Sequence, residues 1–384
     1  VVIFMKRLVS ILVSVSLLLL SPIYSYAAED NTTDEHIHAK AVVLMDTDSK
    51  EVLYKMNENE ELSPASVTKI MSLLIILEAL DSEKITLLDE VTASKDAVAM
   101  GGSQIWLEVG EKMTVDEILR AVIIASANDA CTALGEYVAG SSVAFVKMMN
   151  DKAKELGLEH TNFENCTGLD DTVKAHYSSA YDLAVIASEV MKYDIVKKYS
   201  TVWLDSLRDG KTELNNTNKL VNTYDGITGL KTGTTSNAGF CVAATASRDN
   251  LNLVAVVLGS DTSDHRFDTA AYLLDIGFAN YKSFTPEIDE TKLTPVKVNN
   301  GIKKYVTPIY PDMTKITLPK GDNNVEYKYN ISKSTAAPVH YGDKLGTVEV
   351  LCDGESVASV TLTAGENIDK ITFFDVLWNM VRNI

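Results

Sequence analysis

Three short runs carry the chemistry of this chain: Ser66-Val67-Thr68-Lys69, Ser126-Ala127-Asn128 and Lys231-Thr232-Gly233. In that order they spell a serine nucleophile with a lysine base, a second hydroxyl with an amide, and a cationic strand for substrate. Ser66 and Lys69 stand at i and i+3, which share one face of a helix. A lysine takes a proton from serine only as the neutral amine, which burial or a neighbouring cation produces. Lys231 is the candidate cation. At a helix start the backbone N–H groups lack intrahelical partners and the dipole favours negative charge. Ser66 could therefore offer an oxyanion-holding N–H as well as its hydroxyl. A Ser-x-x-Lys tetrad alone arises by chance about once or twice in a chain of this length. All three runs in order, each in a fitting local context, point to covalent acyl transfer.

The elements that must position these runs can be read from patterning. Ser63 fits an N-cap and Pro64 the first helical position, and residues 67–80 are almost wholly apolar, which predicts a helix buried on most sides. Residues 39–46 and 51–55 read as a hairpin turning at 47–50. The stretch 81–199 reads as mainly helical, with a capping box at Thr114-Val115-Asp116-Glu117. Residues 126–128 fall in the break before a helix at 130–139. Strands are predicted at 227–234, 240–246 and 251–258, the last two joined at Asp249-Asn250, followed by a helix at 266–281. The chain is thus α+β, with one antiparallel sheet built from both ends of a domain (37–283) and a helical block inserted between them. The site belongs at the seam of sheet and block.

Beyond Phe284-Thr285-Pro286 the composition shifts to short alternating runs, which predicts a small all-β domain over 290–363 with a hairpin at Asp353-Gly354. Residues 366–384 form an amphipathic helix with Ile371, Phe374, Trp378 and Val381 on one stripe, read as an interfacial membrane anchor. Residues 1–27 read as a secretory signal: Lys6 and Arg7, an apolar run at 8–20, and small residues Ser25 and Ala27 before the cut. That predicts an exported protein at the outer face of the cytoplasmic membrane or in the cell wall. The net charge of −18 argues against a nucleic-acid partner. The four cysteines (Cys131, Cys166, Cys241, Cys352) are scattered singly and read as buried thiols, with no metal site and no cofactor expected.

The runs Pro64-Ala65-Ser66-Val67-Thr68-Lys69-Ile70-Met71, Ser126-Ala127-Asn128-Asp129 and Asp225-Gly226-Ile227-Thr228-Gly229-Leu230-Lys231-Thr232-Gly233-Thr234 resemble the D-alanyl-D-alanine carboxypeptidases of the S11 peptidase family. These are low-molecular-mass penicillin-binding proteins. His176-Tyr177-Ser178-Ser179-Ala180-Tyr181-Asp182 matches the same family. The resemblance implies a β-lactamase/transpeptidase-like fold and a peptidoglycan stem peptide ending in D-Ala-D-Ala as substrate, with β-lactams as covalent inhibitors. It implies Ser66 as nucleophile, Lys69 as base and Ser126 as relay to the leaving D-Ala. Asn128, Lys231, Thr232, Gly233 and Thr234 would bind the peptide, the N–H of Thr234 completing the oxyanion hole. Arg266 matches the position that binds the terminal carboxylate, a task that suits arginine. His176 is read as structural. A class A β-lactamase shares the three motifs but needs a water-activating glutamate. Glu164 lacks the asparagine expected four residues on, and Ala127 replaces an aspartate, so the carboxypeptidase reading is preferred. A β-lactam sensor without turnover would bring transmembrane segments, and none is read beyond the signal.

Overall fold

The computed structural model describes residues 35–171, 173–310 and 315–375, and His38–Ile384 forms one unit. The expected signal (1–27) lies outside the described residues, as do residues 376–384 of the expected C-terminal helix. That helix is corrected at its start, because residues 366–372 are not helical and Ile368 and Lys370 instead bridge to Val339 and Gly301 in the β module. Five strands make the central antiparallel sheet: β1 (Ala41–Asp46), β2 (Val52–Met56), β3 (Ile227–Thr235), β4 (Gly239–Arg248) and β5 (Leu251–Ser260), in the order β2-β1-β5-β4-β3. The β4–β5 turn places Asp249 and Asn250 at φ 51° and 63°, the paired left-handed geometry of a type I′ hairpin, which Asn and Asp tolerate best after glycine. β1 is buried at every position because it lies inside the sheet with helices on both faces.

On one face pack α1 (Lys69–Asp81) and a helical block that includes α2 (Val115–Ile124), α3 (Asn128–Ala139), α4 (Ser142–Glu155) and α5 (Ala180–Val190). α1 is buried along nearly its whole length, as its apolar run requires. The capping box at Thr114 and Glu117 opens α2. On the other face lies α6 (Ser263–Asn280). Gly277 lets it settle onto the sheet, since a methyl there would stand 2.4 Å from Leu253 Cδ1.

The block is less helical than its sequence predicts. Residues 156–179 are largely irregular, and two short hairpins, Glu90–Thr92 with Lys112–Thr114 and Leu204–Leu207 with Thr212–Asn215, interrupt the rest. The reason is local chemistry: Asn, Thr and Gly dominate 161–168, and their side chains compete for backbone groups that a helix would use.

The C-terminal module is all β. β6 (Tyr281–Phe284) follows α6 without a linker and pairs with β7 (Ile316–Pro319). β8 (Val325–Ile331), β9 (Lys344–Cys352) and β10 (Glu355–Ala364) form an antiparallel sheet extended by Pro308–Ile309. The module is stitched to the catalytic sheet. Buried Thr317 donates to the Asp46 carboxylate, Ser49 and Thr317 hydroxyls lie 3.1 Å apart, and Lys320 Nζ donates to Phe278 O at 2.6 Å.

Candidate active site

Ser66 lies in a 3-10 turn, Ala65–Thr68, and α1 begins only at Lys69. The sequence reading of Ser63 as an N-cap is therefore corrected. Ser63 Oγ instead donates to Asp170 Oδ2 at 2.8 Å, and the Val67 N–H bonds to Pro64 O at 3.1 Å. The turn is bound from behind. Ala65 is held at φ 46°, and Gly168 packs so closely on its carbonyl that an added methyl would lie 1.8 Å from Ala65 O. Thr68 Oγ1 is 2.8 Å from His176 Nε2. His176 Nδ1 accepts the Glu164 N–H at 3.0 Å, so Nε2 carries the ring proton and donates to Thr68. Burial holds this imidazole neutral, with its pKa lowered to about 4.

Lys69 is fully buried, and its Nζ has three neighbours: Ser66 Oγ at 2.9 Å, Asn128 Oδ1 at 2.5 Å and Thr167 O at 2.8 Å. Two of these are pure acceptors, so two N–H groups of the lysine point at them. What remains on Nζ faces Ser66: a third proton in the ammonium, a lone pair in the amine. Burial lowers the Lys69 pKa to about 8 against the pull of Cys131, Cys166 and Asp129, so the amine is within reach near neutral pH.

Ser126 sits at φ 61° in the break before α3, and Asn128 is the first residue of that helix. Lys231 Nζ donates to Ser126 Oγ at 2.7 Å and to Thr232 O at 3.0 Å. Burial is the first cause that pushes the Lys231 pKa down, and repulsion from Lys69 and Arg266 adds to it. From sequence, either burial or Lys231 as a neighbouring cation could make Lys69 neutral. Here burial leads for both amines, and at Lys69 only Asn128 Oδ1 and Thr167 O require a donor, which is compatible with the neutral form.

β3 runs beside the Ser66 turn because Gly233 has no side chain. A methyl on it would stand 2.8 Å from Ser66 N and Pro64 O and 2.9 Å from Val67 N. Thr232 Oγ1 donates to Thr217 Oγ1 at 2.7 Å, and Thr234 is exposed at the open edge of the strand. Arg266, near the start of α6, is buried between Phe240 and Phe267, its guanidinium carbon 5.5 and 4.7 Å from the ring centroids. Its Nη1 donates to Gly233 O at 2.9 Å, Thr234 Oγ1 at 3.1 Å and Cys241 O at 3.2 Å. Burial lowers its pKa to about 10.

The fold thus joins Ser66, Lys69 and Asn128 in one cluster and Ser126 with Lys231 in another, while Gly233 brings β3 against the Ser66 turn. Two participants were missed from sequence. Thr167 contributes only a carbonyl, and Asp170 ties Ser63 to Thr235, accepting from Thr235 Oγ1 at 2.6 Å. The one available signal was Asn165-x-x-Gly168: Asn165 Oδ1 accepts the N–H groups of Thr167 and Gly168 in a tight turn. Glu164 is engaged elsewhere, its carboxylate accepting from Lys174 N and Ala175 N at 2.7 and 2.8 Å.

A nucleophile with a buried amine at hydrogen-bond distance, flanked by a serine–lysine pair and an open strand edge, can run acyl transfer. The family model described as D-alanyl-D-alanine carboxypeptidase (S11 peptidases) matches residues 27–262. The chain belongs to the S11 family. Residues 281–370 of this S11 peptidase match the model for the C-terminal domain of penicillin-binding protein 5. It is 41% identical over 380 residues to the D-alanyl-D-alanine carboxypeptidase DacF of Bacillus subtilis, covering 97% of each chain. It is 34% identical to DacC of Escherichia coli, covering 93% of this chain and 91% of the other. The crystal structure of penicillin binding protein 5 from Haemophilus influenzae matches with TM-score 0.78 and 32% identity, over 87% of this chain and 98% of that one. Penicillin-binding protein D2 of Listeria monocytogenes, solved in its ampicillin-bound form, matches at TM-score 0.58 and 28% identity, over 63% and 98% of the two chains.

Proposed function

We propose that this S11 D-alanyl-D-alanine carboxypeptidase removes the terminal D-Ala from peptidoglycan stem peptides through an acyl-enzyme on Ser66. The observation that carries the residue roles is the Lys69 amine, 2.9 Å from Ser66 Oγ with its other protons committed to Asn128 and Thr167. Ser66 Oγ attacks the carbonyl of the penultimate D-Ala and its proton passes to Lys69. The developing oxyanion is met by the N–H groups of Ser66 and Thr234. Ser126, held at 2.7 Å by Lys231, delivers a proton to the amine of the leaving D-Ala and is resupplied with the proton that Lys69 took from Ser66, and the C–N bond breaks. Water then attacks the ester and returns the proton to Ser66.

Asn128 hydrogen-bonds the peptide, and Thr232, Gly233 and Thr234 line it as an edge partner. Arg266 draws the terminal carboxylate to the end of β3, which its contact with Thr234 Oγ1 supports. Penicillin acylates the same serine. Against rapid penicillin turnover stands Glu164, whose carboxylate is already occupied by two backbone amides. The charged and apolar runs near the N-terminus support export, and the exposed Phe373 and Phe374, with the apolar residues that follow them in sequence, support contact of the C-terminal segment with the outer face of the membrane.

The test is D-Ala release from a diacyl-L-Lys-D-Ala-D-Ala peptide with and without penicillin. Ser66→Ala abolishes both release and penicillin acylation. A Ser66→Ala protein that still releases D-Ala sinks the assignment, and wild type that binds penicillin but never releases D-Ala is a sensor instead.

A further inference from the structure

Trp106 stands 75% exposed in the loop that leads to the site. A single exposed aromatic is ordinary. This one is held at φ 58°, a conformation disfavoured for a bulky side chain, and is clamped on both sides. Ile105 N and Leu107 N donate to the two oxygens of the buried Asp129 carboxylate, at 3.2 and 3.0 Å. From the other side Arg208 donates to Ile105 O at 2.8 Å and is itself fixed by Glu111 at 2.7 Å. Ile105 and Leu107 are buried, so the loop is pinned while Trp106 and Glu108 stand out in water.

The clamp is continuous with the site. Asp129 follows Asn128, whose Oδ1 accepts from Lys69 and whose Nδ2 donates to Gly101 O at 2.7 Å. Asn128 N also donates to Ser103 O at 2.7 Å. The amide that meets the peptide and the loop that displays Trp106 are therefore one rigid frame. The Glu108 carboxylate takes part in no hydrogen bond or ion pair among the described residues, while Glu111 is engaged with Arg208. An indole face with a spare carboxylate two residues away suits an ammonium group on an aliphatic arm.

The geometry points to Trp106 and Glu108 as a subsite for the cationic side chain of the diamino acid that precedes D-Ala-D-Ala in the stem peptide. This deepens the carboxypeptidase reading and rests on it for the direction of the peptide past Asn128. The subsite acts on affinity and specificity, away from the reacting atoms.

The experiment compares diacyl peptides ending in Lys-D-Ala-D-Ala with the side-chain amine free or acetylated. Wild type prefers the free amine about fivefold in kcat/KM. Trp106→Ala brings that preference below twofold, Glu108→Gln roughly halves it, and Trp106→Phe keeps most of it. Penicillin, which lacks the arm, acylates Trp106→Ala within twofold of wild type. Equal rates for both peptides in wild type overturn the proposal, as does a preference unchanged in Trp106→Ala. A parallel loss of penicillin acylation in Trp106→Ala also overturns it, because the residue would then shape the loop. Calorimetric affinities of the two peptides for Ser66→Ala read the subsite without turnover. Absence of D-Ala release from wild type, which sinks the carboxypeptidase reading, and equal affinities, which sink the subsite, are thus separate results.

Discussion

Gly233→Ala tests the idea that one glycine sets the distance between nucleophile and substrate strand. The added methyl would meet Pro64 O and Ser66 N at 2.8 Å and Val67 N at 2.9 Å. All three are backbone atoms, so no rotamer change relieves the contact. Ordinary contact begins near 3.4 Å, which requires β3 and the Ser66 turn to part by about 0.6 Å. That parting moves the Thr234 N–H and the substrate-binding edge away from Ser66 together. A misplacement of about 1 Å costs on the order of a hundredfold in rate, so a loss of roughly tenfold or more is expected here. Overpacking of this kind costs about 1–3 kcal/mol of stability. The assay is the second-order rate of acylation by a fluorescent penicillin, with a thermal melt on the same sample. Acylation within threefold of wild type would show that the strand does not depend on this close approach.

Three further predictions follow from buried or committed groups. With Lys69 as the proposed base and its pKa lowered to about 8, acylation should rise tenfold per pH unit below about pH 8 and level off above it; a flat profile from pH 6 to 9 argues for another base. Burial keeps His176 neutral in the fold down to about pH 4, whereas a free imidazole titrates near 6.5. The unfolded chain therefore binds the extra proton first, and stability is full above pH 6.5 and falls toward pH 4 by about 3 kcal/mol. His176→Gln should flatten that slope in urea titrations at several pH values, and an unchanged slope removes His176 from the account. Glu164→Gln should leave release of the penicilloyl group within threefold of wild type; a collapse of that rate would make Glu164 a water-activating base.

The side chains that the fold brings together at the candidate site were legible because they lie in local runs. Ser66 with Lys69, Ser126 with Asn128, and Lys231 each carry their chemistry where the sequence can show it, and the capping box at Thr114 is a contact three residues long. What escaped notice depends on contacts across the chain. Ser63 reads as a cap, but its hydroxyl goes to Asp170, 107 residues on. Thr167 serves Lys69 with a backbone carbonyl, which every residue has and no composition reveals. By contrast, the irregular 156–179 stretch reads as helix from its neighbours although the competing bonds are local: Asn165, Glu164 and His176 take up backbone N–H groups within 164–174, which hydrophobic patterning does not weigh. Which of burial and a neighbouring cation lowers the Lys69 pKa was left open by the sequence, since the burial of an amine is a property of everything packed around it.

The absence of a linker between α6 and β6, with Thr317 bonded to Asp46, has a mechanical consequence. A flexible joint would let the cleft search a volume, diluted by the length of its tether. A stitched joint lets it sweep only a thin shell whose radius is the length of the β module. Were its C-terminal end held at the membrane as proposed above, such an enzyme would trim stems at one height in the wall and pass over those above and below.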